Sequence, residues 1–181
     1  MAEQDSLSRV WDIIGKVGVG MLTTRAGGVL RARPMEPRPN RDEGVIYFVA
    51  DRRGAKDDEI EAHADVCLIV VDHGSRAYLS VSGRAEAAID RAKAAEIWKK
   101  TDDVWWPGGA ADPNIRVLKL TPLKAELWDG PASSVAAAVE FAKARITGEK
   151  PHLGENRKVT VKMSRARDRL VAGREGISPA D

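Results

Sequence analysis

Residues Tyr78 to Ile89 alternate almost without a break. Leu79, Val81, Gly83, Ala85, Ala87 and Ile89 fall on one side, and Ser80, Ser82, Arg84 and Glu86 on the other. A period of two marks a strand with one face on a core and one toward water. Gly83 within the apolar set gives such a strand a place to bend or bulge. A long one-sided strand must find partners along its edges and cover for its apolar face.

Candidate partners lie throughout the chain. Val17 to Thr24 reads as a strand, Ala26-Gly27-Gly28 as a turn, and Val29 to Met35 as the returning strand of a hairpin. Pro37, Pro39 and Asn40 read as a loop, and Val45 to Val49 as a third strand. Val66 to Val71 is apolar throughout, which predicts a central strand. Ile115 to Leu120 and Leu123 to Trp128 are strand-like, with Thr121-Pro122 as an interruption.

Helices fill the gaps. Leu7, Val10, Trp11 and Ile14 make one apolar stripe, with Ser6 available as a cap. Lys56 to His63 is helix-permissive, Asp90 caps a helix running through Lys99, and a last helix spans about Ser133 to Thr147 with Val135, Val139, Ala142 and Ile146 on one face. Thr101 to Asn114 is irregular. Short strands joined by tight turns favour antiparallel pairing in a barrel or sandwich. The expected class is mainly β with peripheral helices (α+β). The expected division is a domain over 1–150 and a partly disordered C-terminal extension over 151–181, in which Arg157 to Lys162 is strand-like.

Bulk properties exclude several classes. A net charge of +2 is too small to argue for nucleic acid. The basic run from Arg157 to Arg174 reads as a solvated tail. The single cysteine, Cys67, forbids an intramolecular disulfide and is expected to be a buried small hydrophobe. Asp5, Arg9 and Asp12 interrupt any N-terminal leader, and no apolar run reaches membrane-spanning length, so the reading is cytoplasmic with no membrane partner. His63, His73 and His152 lack metal-ligand spacing, so no metal site is expected.

Two clusters carry chemistry. On a strand, Arg31, Arg33 and Met35 share one face, and Ala32 and Pro34 the other. Two guanidinium groups side by side repel unless an anion lies between them, and arginine's planar fork suits phosphate or carboxylate. Pro34 confines this strand to an edge or an irregularity. The second cluster, Val49-Ala50-Asp51-Arg52-Arg53-Gly54-Ala55-Lys56, is a strand end, a turn and a helix start, a common setting for phosphate. Spacing alone leaves both open between an anion site and ordinary charged surface. Asp57-Asp58-Glu59 and Asp102-Asp103 read as solvated carboxylates. Trp105 and Trp106 sit in a Gly/Pro-rich loop, where they either stack on a bound ring, Trp106 first, or fill a groove against the barrel or a dimer partner.

Taken together, the stretches Val19 to Thr24, Leu30 to Met35, Gly44 to Ala50 running on to Lys56, Ser80 to Ala85, Asp90-Arg91 with Trp98, Trp105 to Gly109 with Asp112-Pro113, and Thr121-Pro122 with Glu126 to Trp128 resemble a known family. It is the general stress protein branch of the pyridoxamine phosphate oxidase-like, FMN-binding split barrels. The resemblance covers about residues 6 to 150. It implies a six-stranded antiparallel split barrel and a homodimer with FMN sites at the interface. It places Arg33, Pro34 and Met35, with Arg31, along the flavin ring and ribityl chain. It places Val49, Ala50, Asp51, Gly54 and Lys56 around the ribityl and phosphate. The family often has a serine where this chain has Gly54, which removes one hydroxyl donor; Arg52 or Arg53 is the expected substitute. The implied function is a flavin-dependent oxidoreductase whose catalytic residues and substrate stay unassigned. The alternatives are a flavin-binding stress protein without turnover, or the same barrel holding deazaflavin F420, FAD or haem.

Overall fold

The computed structural model describes residues 3–54, 56–129, 134–148 and 158–163. Helix α1 (Glu3–Lys16) buries the predicted stripe, with Val10, Ile13 and Ile14 closed off completely. The helix begins before Ser6, which is buried inside it rather than capping it. Strands β1 (Gly20–Ala26) and β2 (Val29–Met35) form the predicted hairpin, with Ala26 opposite Val29. Gly27 and Gly28 both have positive φ, 54° and 88°. A two-residue hairpin turn of the matching twist needs that conformation at both positions.

Residues 37–40, read as a loop, contain the short strand β3 (Arg38–Asn40). It pairs only with β4 (Val45–Asp51), and an edge position accommodates Pro39, which has no N–H to donate. Then come α2 (Lys56–Ala62), β5 (Asp65–Asp72) and β6 (Ala77–Ala88). Helix α3 (Arg91–Ile97) is capped as predicted: the Lys93 N–H donates to the Asp90 side chain at 2.8 Å. Two 3-10 turns, Lys100–Val104 and Gly109–Ala111, replace the expected irregular stretch. Strand β7 (Ile115–Asp129), helix α4 (Ser134–Thr147) and strand β8 (Lys158–Lys162) complete the described chain.

All pairings are antiparallel, in the order β2-β1-β5-β6-β7-β4-β3, with β8 added beside β7. The expectation of six strands is corrected to eight among the described residues, because β3 and β8 are short additions to β4 and β7. The hydrogen-bond ladder does not close, and β2 and β3 are its ends. Leu22 of β1 nevertheless shares one core with Phe48 of β4, although three strands lie between them along the ladder, so the sheet curls around its own apolar face. The alternation of β6 is observed from Ala77 through Ala85, with Leu79 and Val81 buried; Ile89 falls past the strand end and is exposed. The Thr121-Pro122 interruption is a register shift inside one continuous β7, where Pro122 faces Gly83. A bulge accepts a proline that a regular central ladder would reject.

A second, smaller core lies outside the curl, where Ala94, Trp106, Ile97 and Trp98 cover Tyr47 and Val49 of β4 and Val117 of β7. This explains why β4 is buried on both faces. Cys67 is corrected from buried to half-buried: β5 is interior to the sheet, but only alternate residues face the core, and Cys67 faces out beside Ser80. The apolar face of α4 is not covered by the described residues, since Val139 and Ile146 are exposed. The extension contributes β8 and buries Met163, while the tail from 164 onward lies outside the described residues.

Candidate functional site

A cleft of about 600 Å³ opens at the seam of the curled sheet. Pro34 and Met35 from the end of β2 form one wall, with Val19 and Glu36 beside them. Val49, Ala50 and Asp51 from the end of β4 form the facing wall, continued by Arg53. Arg38, Asp102, Trp105 and Trp106 close one end. β2 and β4 lie toward opposite ends of the ladder, so only the curl brings them together.

The closed end is built around Arg38. Its Nη2 donates to Asp102 Oδ1 at 2.6 Å and its Nη1 to the Ile97 carbonyl at 2.7 Å. Arg38 and Asp102 are both buried, so Asp102 is not the solvated carboxylate the sequence suggested. Asp102 Oδ2 accepts from the Lys99 N–H, and its carbonyl accepts from the N–H groups of Trp105 and Trp106. One residue thus joins β3 to the tryptophan loop. Trp106 is buried, edge-on to Trp98 with ring centroids 6.0 Å apart, whereas Trp105 stands exposed at the rim. Arg38 Nε and Trp106 Nε1 are buried and find no hydrogen-bond acceptor among the described residues.

Of the predicted site residues, Pro34, Met35, Val49, Ala50, Asp51 and Trp106 line this cleft. Arg31 and Arg33 turn to Glu59 of α2. Arg31 Nη1 donates to Glu59 Oε1 at 3.0 Å, and Arg33 Nη2 bonds both carboxylate oxygens. The anion between the two guanidinium groups is therefore part of the chain. Thr24 completes the cluster, accepting from Arg33 at 2.8 Å and donating to Glu59 at 2.6 Å. Burial pushes the Glu59 carboxyl up, but the bonds from Arg33 and Thr24 and the charges of Arg33 and Arg31 outweigh it. Its pKa falls below the ordinary carboxylate range.

The turn after β4 is also internally paired. Arg53 Nε lies 2.9 Å and Nη2 2.5 Å from the Asp51 carboxylate, which also accepts the Arg53 backbone N–H. The Arg53 side chain remains largely exposed. The Gly54 N–H donates to the Asp51 carbonyl at 3.1 Å, and Gly54 does not line the cleft. Lys56 opens α2, and its side chain lies outside the described residues. Glu36, Arg38 and Asp102 escaped the sequence reading because their roles rest on contacts distant in sequence. Pro37 and Pro39 around Arg38 were the only local signal.

Tyr47 lies on the far face of β4. Burial, followed by its bond to Glu43, pushes its phenol up to about 12, so it stays protonated near neutrality. Lys93 sits 4.9 Å over its ring.

An antiparallel sheet curled around one core, with a cleft at its seam, is the architecture of a split barrel. The family described as pyridoxamine 5'-phosphate oxidase like matches this sequence over residues 5–152, and the chain belongs to it. A protein described as general stress protein 26 from Jannaschia sp. CCS1 is 30% identical, with a TM-score of 0.70 over 89% of this chain and 99% of that one. A protein related to general stress protein 26 from Clostridium acetobutylicum is 16% identical, with a TM-score of 0.67 over 90% and 96%. The general stress FMN/FAD binding protein from Xanthomonas citri is 23% identical, with a TM-score of 0.64 over 72% and 92%. No curated protein matches this sequence.

Proposed function

We propose that this protein is a flavin-binding redox protein whose cofactor is FMN. The seam cleft carries this reading. Its volume of about 600 Å³ suits a flavin, and its lining combines apolar side chains with the charged groups of Glu36, Arg38, Asp51, Arg53 and Asp102. Met35, Val49, Ala50 and Trp106 offer contacts to a flat ring. Family membership and the Xanthomonas citri protein named for FMN/FAD binding support the assignment. A bound flavin would supply electron or hydride transfer, and the protein would supply position and electrostatics.

The residues of the chain have separable tasks in this reading. The Arg38–Asp102 pair holds the tryptophan loop against the ring end. Arg53 offers an exposed cation beyond Asp51, and Asp51 competes with a phosphate for it. FMN is therefore expected to bind no more than about tenfold tighter than riboflavin, a difference of about 1.4 kcal/mol.

We also infer a homodimer. Met21 faces Ile69 across β1 and β5, and Val71 faces Tyr78 across β5 and β6. Met21, Ile69 and Tyr78 are 39%, 44% and 54% exposed, an apolar row on the outer sheet face suited to a second copy.

Titration with FMN, riboflavin, FAD and F420, read by cofactor fluorescence and thermal unfolding, tests the cofactor. FMN at a hundred times its Kd should raise Tm by roughly 6–10 °C. No saturable binding and no shift would overturn the reading. Bound FMN that NAD(P)H cannot reduce would instead select the binding protein without turnover.

A further inference from the structure

Arg38 and Trp106 are each 8% exposed, and each keeps one buried N–H without an acceptor among the described residues. Leaving such a donor unmet is costly, and folded proteins rarely do so. Both residues line the closed end of the seam cleft, and both are tied to Asp102. Two unmet donors in one wall of a binding cleft point to an acceptor brought by the occupant.

The charge around them says what kind of acceptor. Arg38 is held by Asp102 at 2.6 Å and lies 3.6 Å from Glu36, which in turn binds Lys99. Two cations and two carboxylates sum to zero. An incoming anion would meet Glu36 and Asp102 without a spare positive charge, whereas a neutral carbonyl oxygen needs only N–H donors.

We propose that Arg38 Nε–H and Trp106 Nε1–H form a receptor for a neutral carbonyl oxygen on a flat ring, the dione edge of a flavin. This rests on the flavin reading above. Both nitrogens are closed to bulk water, so the tryptophan wall must adjust to admit the oxygen. That wall is made of two short 3-10 turns, whose backbone bonds include Trp106 N–H to Asp102 O at 3.0 Å and Gly109 N–H to Trp106 O at 2.9 Å.

The test uses the full chain with two probes, riboflavin and phenazine, a flat tricycle without carbonyls. Arg38→Lys keeps a positive charge beside Asp102 and removes the Nε donor. Trp106→Phe keeps an aromatic wall and removes the Nε1 donor. Each variant should raise the riboflavin Kd about three- to tenfold more than it raises the phenazine Kd. The carbonyl stretch of bound riboflavin should move to higher wavenumber in both. Should Arg38→Lys fail to fold, Trp106→Phe decides alone. Equal losses for both probes would show a collapsed wall and overturn the proposal. Unchanged riboflavin binding in both variants would overturn it while leaving the flavin reading intact. Wild-type protein that binds no riboflavin or FMN would remove the flavin reading, and this proposal with it.

Discussion

Glu59 sits between Arg31 and Arg33 as their counter-ion. That an anion could lie there is visible in the sequence, although the spacing alone leaves an anion site and ordinary charged surface both open. Its source is not. Asp57-Asp58-Glu59 reads as a solvated helix start, and only the packing of α2 beside β1 and β2 selects the third carboxylate. Glu59→Gln is expected to cost roughly 2–3 kcal/mol at pH 7, less than a fully buried pair because Arg31 is half exposed. Its pH dependence has a definite sign. A carboxyl with a folded pKa below the ordinary value contributes fully above about pH 4.3, and that contribution is lost as pH falls through the folded pKa. Urea midpoints measured from pH 7 to pH 3 should therefore drop for the wild type, and the gap to Glu59→Gln should narrow.

Among elements, β6 was the most legible, whereas β7 was read only as two separate pieces. Alternation fixes which residues of β6 face inward, because successive side chains must point to opposite sides. The same logic cannot show that β7 continues through Pro122, since the bulge depends on the partner strand. Gly83 carries that irregularity. A Cβ there would lie 2.3 Å from the Thr121 carbonyl oxygen and 2.8 Å from a Leu120 methyl. The oxygen belongs to the neighbouring backbone and cannot swing aside like a side-chain end. Gly83→Ala is expected to destabilise by about 2–3 kcal/mol in equilibrium urea unfolding, with the fold retained. Short β3 was missed for a related reason: three residues between prolines carry too little pattern to be distinguished from a loop.

At the scale of the whole molecule, the outer face of the sheet is the feature that asks for a partner. Ile69→Asp places a charge in the row formed with Met21 and Tyr78. Light scattering should give twice the chain mass for the wild type and the chain mass for the variant. An unchanged mass would remove this face as the interface. Binding FMN to the variant then asks whether the cleft is complete within one copy.

The sequence by itself determined the class, the hairpin and the inward faces of β6 and helix α1, and the family resemblance named six residues that line the cleft. These follow from periodicity, turn chemistry and an ordered set of motifs, all local in the chain. Only the tertiary structure decided which charges meet. Arg33 goes to Glu59 and Arg38 to Asp102. A charged side chain takes whichever partner the curl of the sheet and the docking of α2 and the tryptophan loop bring within reach. That choice leaves Arg38 Nε and Trp106 Nε1 without an acceptor among the described residues at the end of the cleft.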